Sequence, residues 1–227
     1  AAVDALITEE VPGVDVVDDL WHVRIPGWTH PTAGVMDQGS YIAPHVAKSL
    51  LFAANNLALG VQVSVMNAGG VRCDVPKGKL TMGKVYELLP FFNTLYVIKV
   101  TGQQLSDALD AAVSGAVDDN NTGRFPYVGG ARYTADMTKP VGQRITVLEV
   151  KDTTGAFVAA DPTKEYTVAT NSFLAGGGDG YTIFESATYR KDINHVADSD
   201  AFIDYAKSVK TLTQPADTGV TFIPPTP

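Results

Sequence analysis

Apolar positions recur along this chain at two spacings. Between residues 40 and 57, Ile42, Val46, Leu50 and Ala53 fall three or four apart, with Ala47, Leu51 and Ala54 beside them. That is the period of an amphipathic helix, and Ser40 stands where an N-cap belongs. Gly60 closes the run, and Val61-Gln62-Val63-Ser64-Val65 then alternates as a strand does. The same signals predict a short helix capped by Thr81 and ended at Pro90, a strand over 94–100, and a helix carrying Leu105, Leu109, Ala112 and Val113. Residues 118–122 read as a polar turn. Strands follow over 131–135, 144–150 and 166–170, and a last helix over 199–209. Helices and strands alternate with uneven crossovers, which predicts an α+β (mixed α/β) domain.

The punctuation of the chain sets its expected limits. Residues 1–39 hold Pro12-Gly13, Pro26-Gly27 and Pro31, and read as an irregular segment packed on or linking to the domain. A short strand near residues 20–23 is the one element expected there. Residues 40–212 form the domain, and 213–227, ending Pro-Pro-Thr-Pro, a tail or linker. The chain opens Ala1-Ala2-Val3 without a basic or apolar leader, as a mature or excised polypeptide would.

Composition narrows the function. With 45% hydrophobic and 19% charged residues the chain can build a core, so disorder and coiled coil are excluded. No apolar run reaches the ~18–20 residues of a membrane-spanning helix. A net charge of −8 argues against gripping a nucleic-acid backbone by bulk charge, but leaves room for a small anion held by one or two arginines. The single Cys73 cannot form an internal disulfide. His22, His30, His45 and His195 lack metal-ligand spacing. No Gly-x-Ser-x-Gly elbow or Walker loop appears.

Three segments stand out. Asn67-Ala68-Gly69-Gly70-Val71-Arg72 follows a strand; its glycines permit unusual backbone or close ligand approach, and Arg72 offers a fork to phosphate or carboxylate. Equally, it is a tight turn whose arginine pairs with Asp74. Phe173 to Tyr181 contains three consecutive glycines and Asp179, a carboxylate suited to a cis-diol; the alternative is a loop with a solvated acid and a core phenylalanine. In Pro90-Phe91-Phe92-Asn93, adjacent aromatics entering a strand point oppositely, so one of the two phenylalanines should lie outside the core.

Taken together, Asn-Ala-Gly-Gly-Val-Arg (67–72), Val-Tyr-Glu-Leu-Leu-Pro-Phe-Phe-Asn-Thr (85–94), Val-Thr-Gly-Gln-Gln-Leu (100–105), Phe-Pro-Tyr-Val-Gly-Gly-Ala-Arg-Tyr (125–133) and Thr-Asn-Ser-Phe-Leu-Ala-Gly-Gly-Gly-Asp-Gly-Tyr (170–181) resemble the C-terminal, substrate-binding domain of the 5′-nucleotidase family. The variant looks like those of secreted bacterial metallophosphatase/5′-nucleotidase proteins. The resemblance implies that Phe91 and Phe173 sandwich a base, Asp179 binds ribose, and Arg72 faces phosphate. It implies that Asn67 and Asn93 contact the nucleoside and that Gly69 and Gly70 let it approach the backbone. Arg24 is the candidate for a second phosphate arginine, although a Pro/Gly insert separates it from the Ser40 helix. Family enzymes hold two divalent metal ions in an N-terminal metallophosphatase domain, whose motifs this chain lacks. No cofactor is therefore expected in this chain, which should be inactive alone. The implied partners are a nucleotide or nucleoside and that N-terminal domain; the implied location is periplasmic, cell-surface or secreted. The rival reading is a non-catalytic nucleoside-binding or interaction module on the same fold.

Overall fold

The structure is a computed structural model that describes residues 7–225. The ends of the expected N-terminal segment and tail, residues 1–6 and 226–227, lie outside the described residues.

A five-stranded sheet organises the molecule. Its strands are β4 (Val63–Asn67), β6 (Thr94–Thr101), β7 (Pro126–Gly129), β11 (Glu165–Asn171) and β12 (Tyr189–Ala197), in the order β12-β6-β11-β4-β7. β11 and β4 run parallel; the other neighbours are antiparallel. All five positions of β4 are buried, as befits a central strand covered on both faces. The cover comes from α1 (Ala43–Asn56) and α3 (Gly102–Val117), and α6 (Asp198–Val209) packs against α1. Leu50, Val65, Ile98, Leu109, Val113 and Phe202 belong to one continuous core.

A second sheet, β10-β9-β8-β14, joins Phe157–Ala159, Ile145–Lys151, Ala131–Asp136 and Val220–Ile223. A third, β13-β1-β5, joins Thr211–Leu212, Glu10–Val16 and Gly78–Thr81, and β2 (Trp28–His30) pairs with β3 (Gly34–Met36). Short helices α2 (Met82–Leu88), α4 (Ser172–Ala175) and α5 (Thr182–Glu185) complete the chain. The fold is mixed α/β, as the alternating patterns predict.

The caps behave as their chemistry requires. Ser40 Oγ accepts the Ala43 N–H at 3.0 Å, but the N-cap position falls to Ile42, two residues past the one expected, with Pro44 in the first turn of the helix. Thr81 Oγ1 accepts from the Lys84 N–H. Thr101 and Gln104 form a reciprocal capping box on α3.

The chain ends depart from expectation. Residues 10–16 form a strand, not irregular chain, and residues 220–223 pair in parallel with β8. In β1, Pro12 and Gly13 accompany a register shift between Glu10 and Asp15, so the buried valines fall at 11, 14 and 16. That spacing hides the period of two. Residues 20–23 form no strand; Leu20 makes a single bridge to Val75.

Tyr127 ties the early segment to the sheet. Its buried hydroxyl accepts the Ser40 N–H at 2.8 Å and donates to the Val23 carbonyl at 3.1 Å. Gly39 leaves room for it: φ is +76°, and a Cβ there would strike the hydroxyl. Tyr127→Phe strands the Ser40 N–H in the interior and is expected to cost about 1–3 kcal/mol. Urea denaturation checks this; an unchanged midpoint would show that neither bond contributes.

Candidate functional site

Sheet topology brings four loops to one end. β4 and its parallel neighbour β11 finish there, at Asn67 and Asn171, whereas antiparallel β6 and β7 begin there, at Thr94 and Pro126. The loops after β4 and β11 and before β6 and β7 therefore converge, at the carboxyl ends of the parallel strands. Between them lies a cleft of about 490 Å³. Its lining contains every sequence-derived candidate: Arg24, Asn67, Gly69, Gly70, Arg72, Phe91, Asn93, Phe173 and Asp179. Asn121 and Gly123 join them from the short 3₁₀ turn beyond α3.

The two candidate aromatics face solvent. Phe91 is 56% exposed and Phe173 45%, and among the described residues neither packs against another aromatic ring. Phe173 packs against its own loop, since a Cβ at Gly178 would fall 2.6 Å from ring carbons. The alternative of a core phenylalanine at 173 is thus set aside. Of Phe91 and Phe92 one was expected outside the core; both are, since Phe92 is exposed as well. Its left-handed backbone, φ +51°, breaks the alternation, and its ring tilts against Tyr86 outside the cleft lining.

Asp179 is held by a relay. Asn171 Oδ1 accepts the Leu174 N–H, Asn171 Nδ2 donates to Asn67 Oδ1 at 3.3 Å, and Asn67 Nδ2 donates to Asp179 Oδ2 at 2.7 Å. Asn67 is buried, so its amide is engaged at both ends and positions the carboxylate. No described residue bonds Asp179 Oδ1. Asp179 is itself left-handed, φ +55° and ψ +20°, between left-handed Gly177 and Gly180. That conformation costs a non-glycine residue about 1–2 kcal/mol, strain of the kind that gathers at functional sites.

Gly69 and Gly70 need no unusual backbone; neither has a positive φ. They are glycines for space. A Cβ on Gly69 would sit 3.0 Å from the Gly123 Cα, and one on Gly70 would strike Met66 and Asn67.

The two cleft arginines, Arg24 and Arg72, are free of ion pairs among the described residues. Arg72 donates to the Gly69 carbonyl at 3.0 Å and stands 5.6 Å over the Phe91 ring. It does not pair with Asp74, which accepts the His22 N–H and meets His30 Nε2 at 3.1 Å. Arg24 donates to Thr122 Oγ1 at 3.2 Å. Neither guanidinium is paired with Asp179, so charge of both signs is available to a ligand. Asn93 points Nδ2 at the buried Asp198.

Other features carry less chemistry. Burial pushes the Cys73 thiol up to about 11, far from thiolate character. A larger cleft of about 600 Å³ beside Trp28 and Phe222 has one acid, Asp37, and no basic side chain in its lining. Among the described residues no group of three or more His, Cys, Asp or Glu could hold a metal ion. The donors present do not fit a two-metal centre. No helix among them is long and apolar enough to cross a membrane.

Sequence reasoning missed Asn121, Gly123, Asn171 and Asp198. The first two lay in and just after a stretch read as a polar turn; the others act through a neighbour, and no spacing announces that.

Comparisons with known proteins identify the family and the fold. Residues 32–186 match the family described as 5′-nucleotidase, C-terminal domain. A trifunctional nucleotide phosphoesterase of Bacillus subtilis is 35% identical over 170 residues, covering 75% of this chain and 11% of that protein. The NAD 5′-nucleotidase of Haemophilus influenzae is 35% identical over 190 residues, covering 81% of this chain and 30% of that one. The crystal structure of a 5′-nucleotidase precursor from Thermus thermophilus superposes with a TM-score of 0.83 at 32% identity, covering 98% of this chain and 41% of that chain. For the Haemophilus influenzae NAD nucleotidase structure the TM-score is 0.84 at 32% identity, with 98% and 39% covered. The fold is that of a 5′-nucleotidase C-terminal domain. This chain belongs to the 5′-nucleotidase C-terminal domain family. It spans a third or less of the curated relatives it first matches.

Proposed function

We propose that this chain is the nucleotide-recognition part of a metal-dependent nucleotide phosphohydrolase. The carrying observation is the cleft itself: two exposed aromatic rings, one braced carboxylate and two guanidiniums without ion pairs, all on loops at one sheet end. A planar base stacks between Phe91 and Phe173. Asp179, with Oδ1 unused, accepts from the ribose hydroxyls. Arg72 and Arg24 receive the phosphate by charge-assisted bonds.

These residues bind and orient; none is a nucleophile or general base for phosphorus. Two divalent metal ions, supplied by an N-terminal metallophosphatase domain of the same polypeptide, would activate the attacking water. This chain's share is to hold the phosphoryl group in register. The family also motivates a periplasmic, cell-surface or secreted location, which fractionation of the source cells tests.

Arg72 supplies the functional test. In titrations of this chain, Arg72→Ala should lower AMP affinity by about tenfold or more while changing adenosine little, since only AMP carries the charge that the fork reads. Asp179→Ala should weaken both ligands alike. Equal losses for both ligands in Arg72→Ala would remove the phosphate role.

A further inference from the structure

Asp198 opens α6 and is 1% exposed, directly behind the cleft wall at Asn93. Its backbone N–H donates to the Asn93 carbonyl at 2.8 Å. Its Oδ1 accepts the Ser199 N–H at 2.9 Å, and its Oδ2 receives Asn93 Nδ2 at 3.4 Å. An ionised carboxylate has no proton to give, so it dictates which end of a neighbouring amide faces it. Asn93 must turn its NH₂ group inward. Its side-chain oxygen Oδ1, which no described residue bonds, is the end left for the cleft.

We infer that Asp198 is a specificity-determining positioning residue: through Asn93 it makes the cleft beside Phe91 a hydrogen-bond acceptor, selecting bases that carry an exocyclic amino group over their keto counterparts. The inference rests on the nucleotide reading above and deepens it. Asn93 stands two residues from Phe91, beside the stacked base. Substituents on the ring edge protrude furthest from the stack and meet a neighbouring side chain first. Stacking is tolerant of base identity, so a single directional contact has room to decide between adenine and hypoxanthine. Adenine brings an amino group to the Asn93 oxygen. Hypoxanthine brings a carbonyl, and two acceptors then face each other.

Asp198→Asn makes the idea sharp. The Ser199 N–H still requires an oxygen, so the new amide must present its NH₂ group to Asn93. Asn93 then reverses, offering oxygen inward and its own NH₂ to the cleft. The cleft changes from acceptor to donor with almost no change in shape.

The experiment is titration of this chain with adenosine and with inosine, followed by amide chemical shifts around Phe91 and Phe173. Wild type should favour adenosine by about tenfold, the scale of one satisfied against one unsatisfied polar contact. Asp198→Asn should reverse the preference. The exchange variant, Asn93→Asp with Asp198→Asn, should restore it. Asp198→Ala, which leaves Asn93 undirected, should bring the ratio near one. A structural role alone would shift both affinities together and leave the ratio unchanged. An Asp198→Asn protein that binds both nucleosides with the wild-type ratio overturns the inference, as does a wild type that prefers inosine. If neither nucleoside perturbs the cleft of wild type, the nucleotide reading falls and the inference goes with it.

Discussion

Phe91→Ala and Phe173→Ala should each weaken adenosine and AMP by about fivefold to a hundredfold, the 1–3 kcal/mol of one stacked face. Stability should hardly move. Both rings are about half exposed, one in the turn before β6 and one in α4, and neither fills the core. A phenylalanine truly inside the core would cost about 3–5 kcal/mol when cut to alanine. The two outcomes separate in a pair of measurements, calorimetric titration for affinity and urea denaturation for stability. A variant that binds as wild type does but unfolds much earlier refutes the clamp. Because the ligand bridges the two rings, the double variant should lose less than the sum of the single losses. Once one face is gone the base is no longer held flat, and the other face contributes less.

The elements that were legible in the sequence are those with an undisturbed period. The α1 helix, β6, α3, β11 and α6 each repeat apolar residues at one spacing over two or more turns or pleats. What failed has a physical cause in each case. β1 carries a Pro-Gly pair and a register shift, so its buried valines obey no single period. β12 is an edge strand that buries only Ile193, and Tyr-Arg-Lys-Asp along its outer half reads as loop. β14 has four residues and exists because it pairs with β8, eighty-odd residues away in sequence. Long-range pairing of that kind leaves no local signature.

The site divides along the same line. Residues that would touch a ligand sit in short segments whose composition is odd for any structural purpose. Three glycines in a row before an acid, or two aromatics before an asparagine, need a reason. Asn171 and Asp198 look ordinary: one ends a strand, the other begins a helix. Their importance lies in which amide end they leave for a neighbour, and only coordinates hold that. Of the two reasons that the sequence offers for Gly69 and Gly70, the special backbone fails, since neither has a positive φ; packing of Gly123 and Met66 against them is what excludes a side chain.

Below pH 7 the wild-type protein is expected to lose stability through His22, relative to a His22→Gln variant, by about 2 kcal/mol by pH 5. His22 Nδ1 meets Ser40 Oγ at 2.9 Å, and its Nε2 is buried without a partner. Burial lowers its pKa to about 4 from 6.5; Asp74 opposes this, while Arg24, Arg72 and His30 reinforce it. The unfolded chain therefore takes up a proton near pH 6.5 that the folded chain refuses until about pH 4. Stability from this group is complete above the upper value and is gone below the lower one, about 3 kcal/mol in all. His45, lowered chiefly by burial although its bond to the Thr213 carbonyl resists, adds to the same limb. Asp198 acts the other way. Burial raises it from 3.8 to about 6, so its cost to the fold is absent below the unfolded value and grows as pH rises through 6. Acidification from pH 7 to 5 thus returns about 1 kcal/mol through Asp198 while His22 takes away about 2. The wild-type profile should therefore be shallow in that window. His22→Gln removes the larger opposing group, so its stability should hold or rise between pH 7 and 5. Urea denaturation at pH 7, 5 and 3.5 reads the difference directly. Parallel profiles for the two proteins would mean that the imidazole takes its proton equally well folded and unfolded, and that its enclosure beside Ser40 has no energetic consequence.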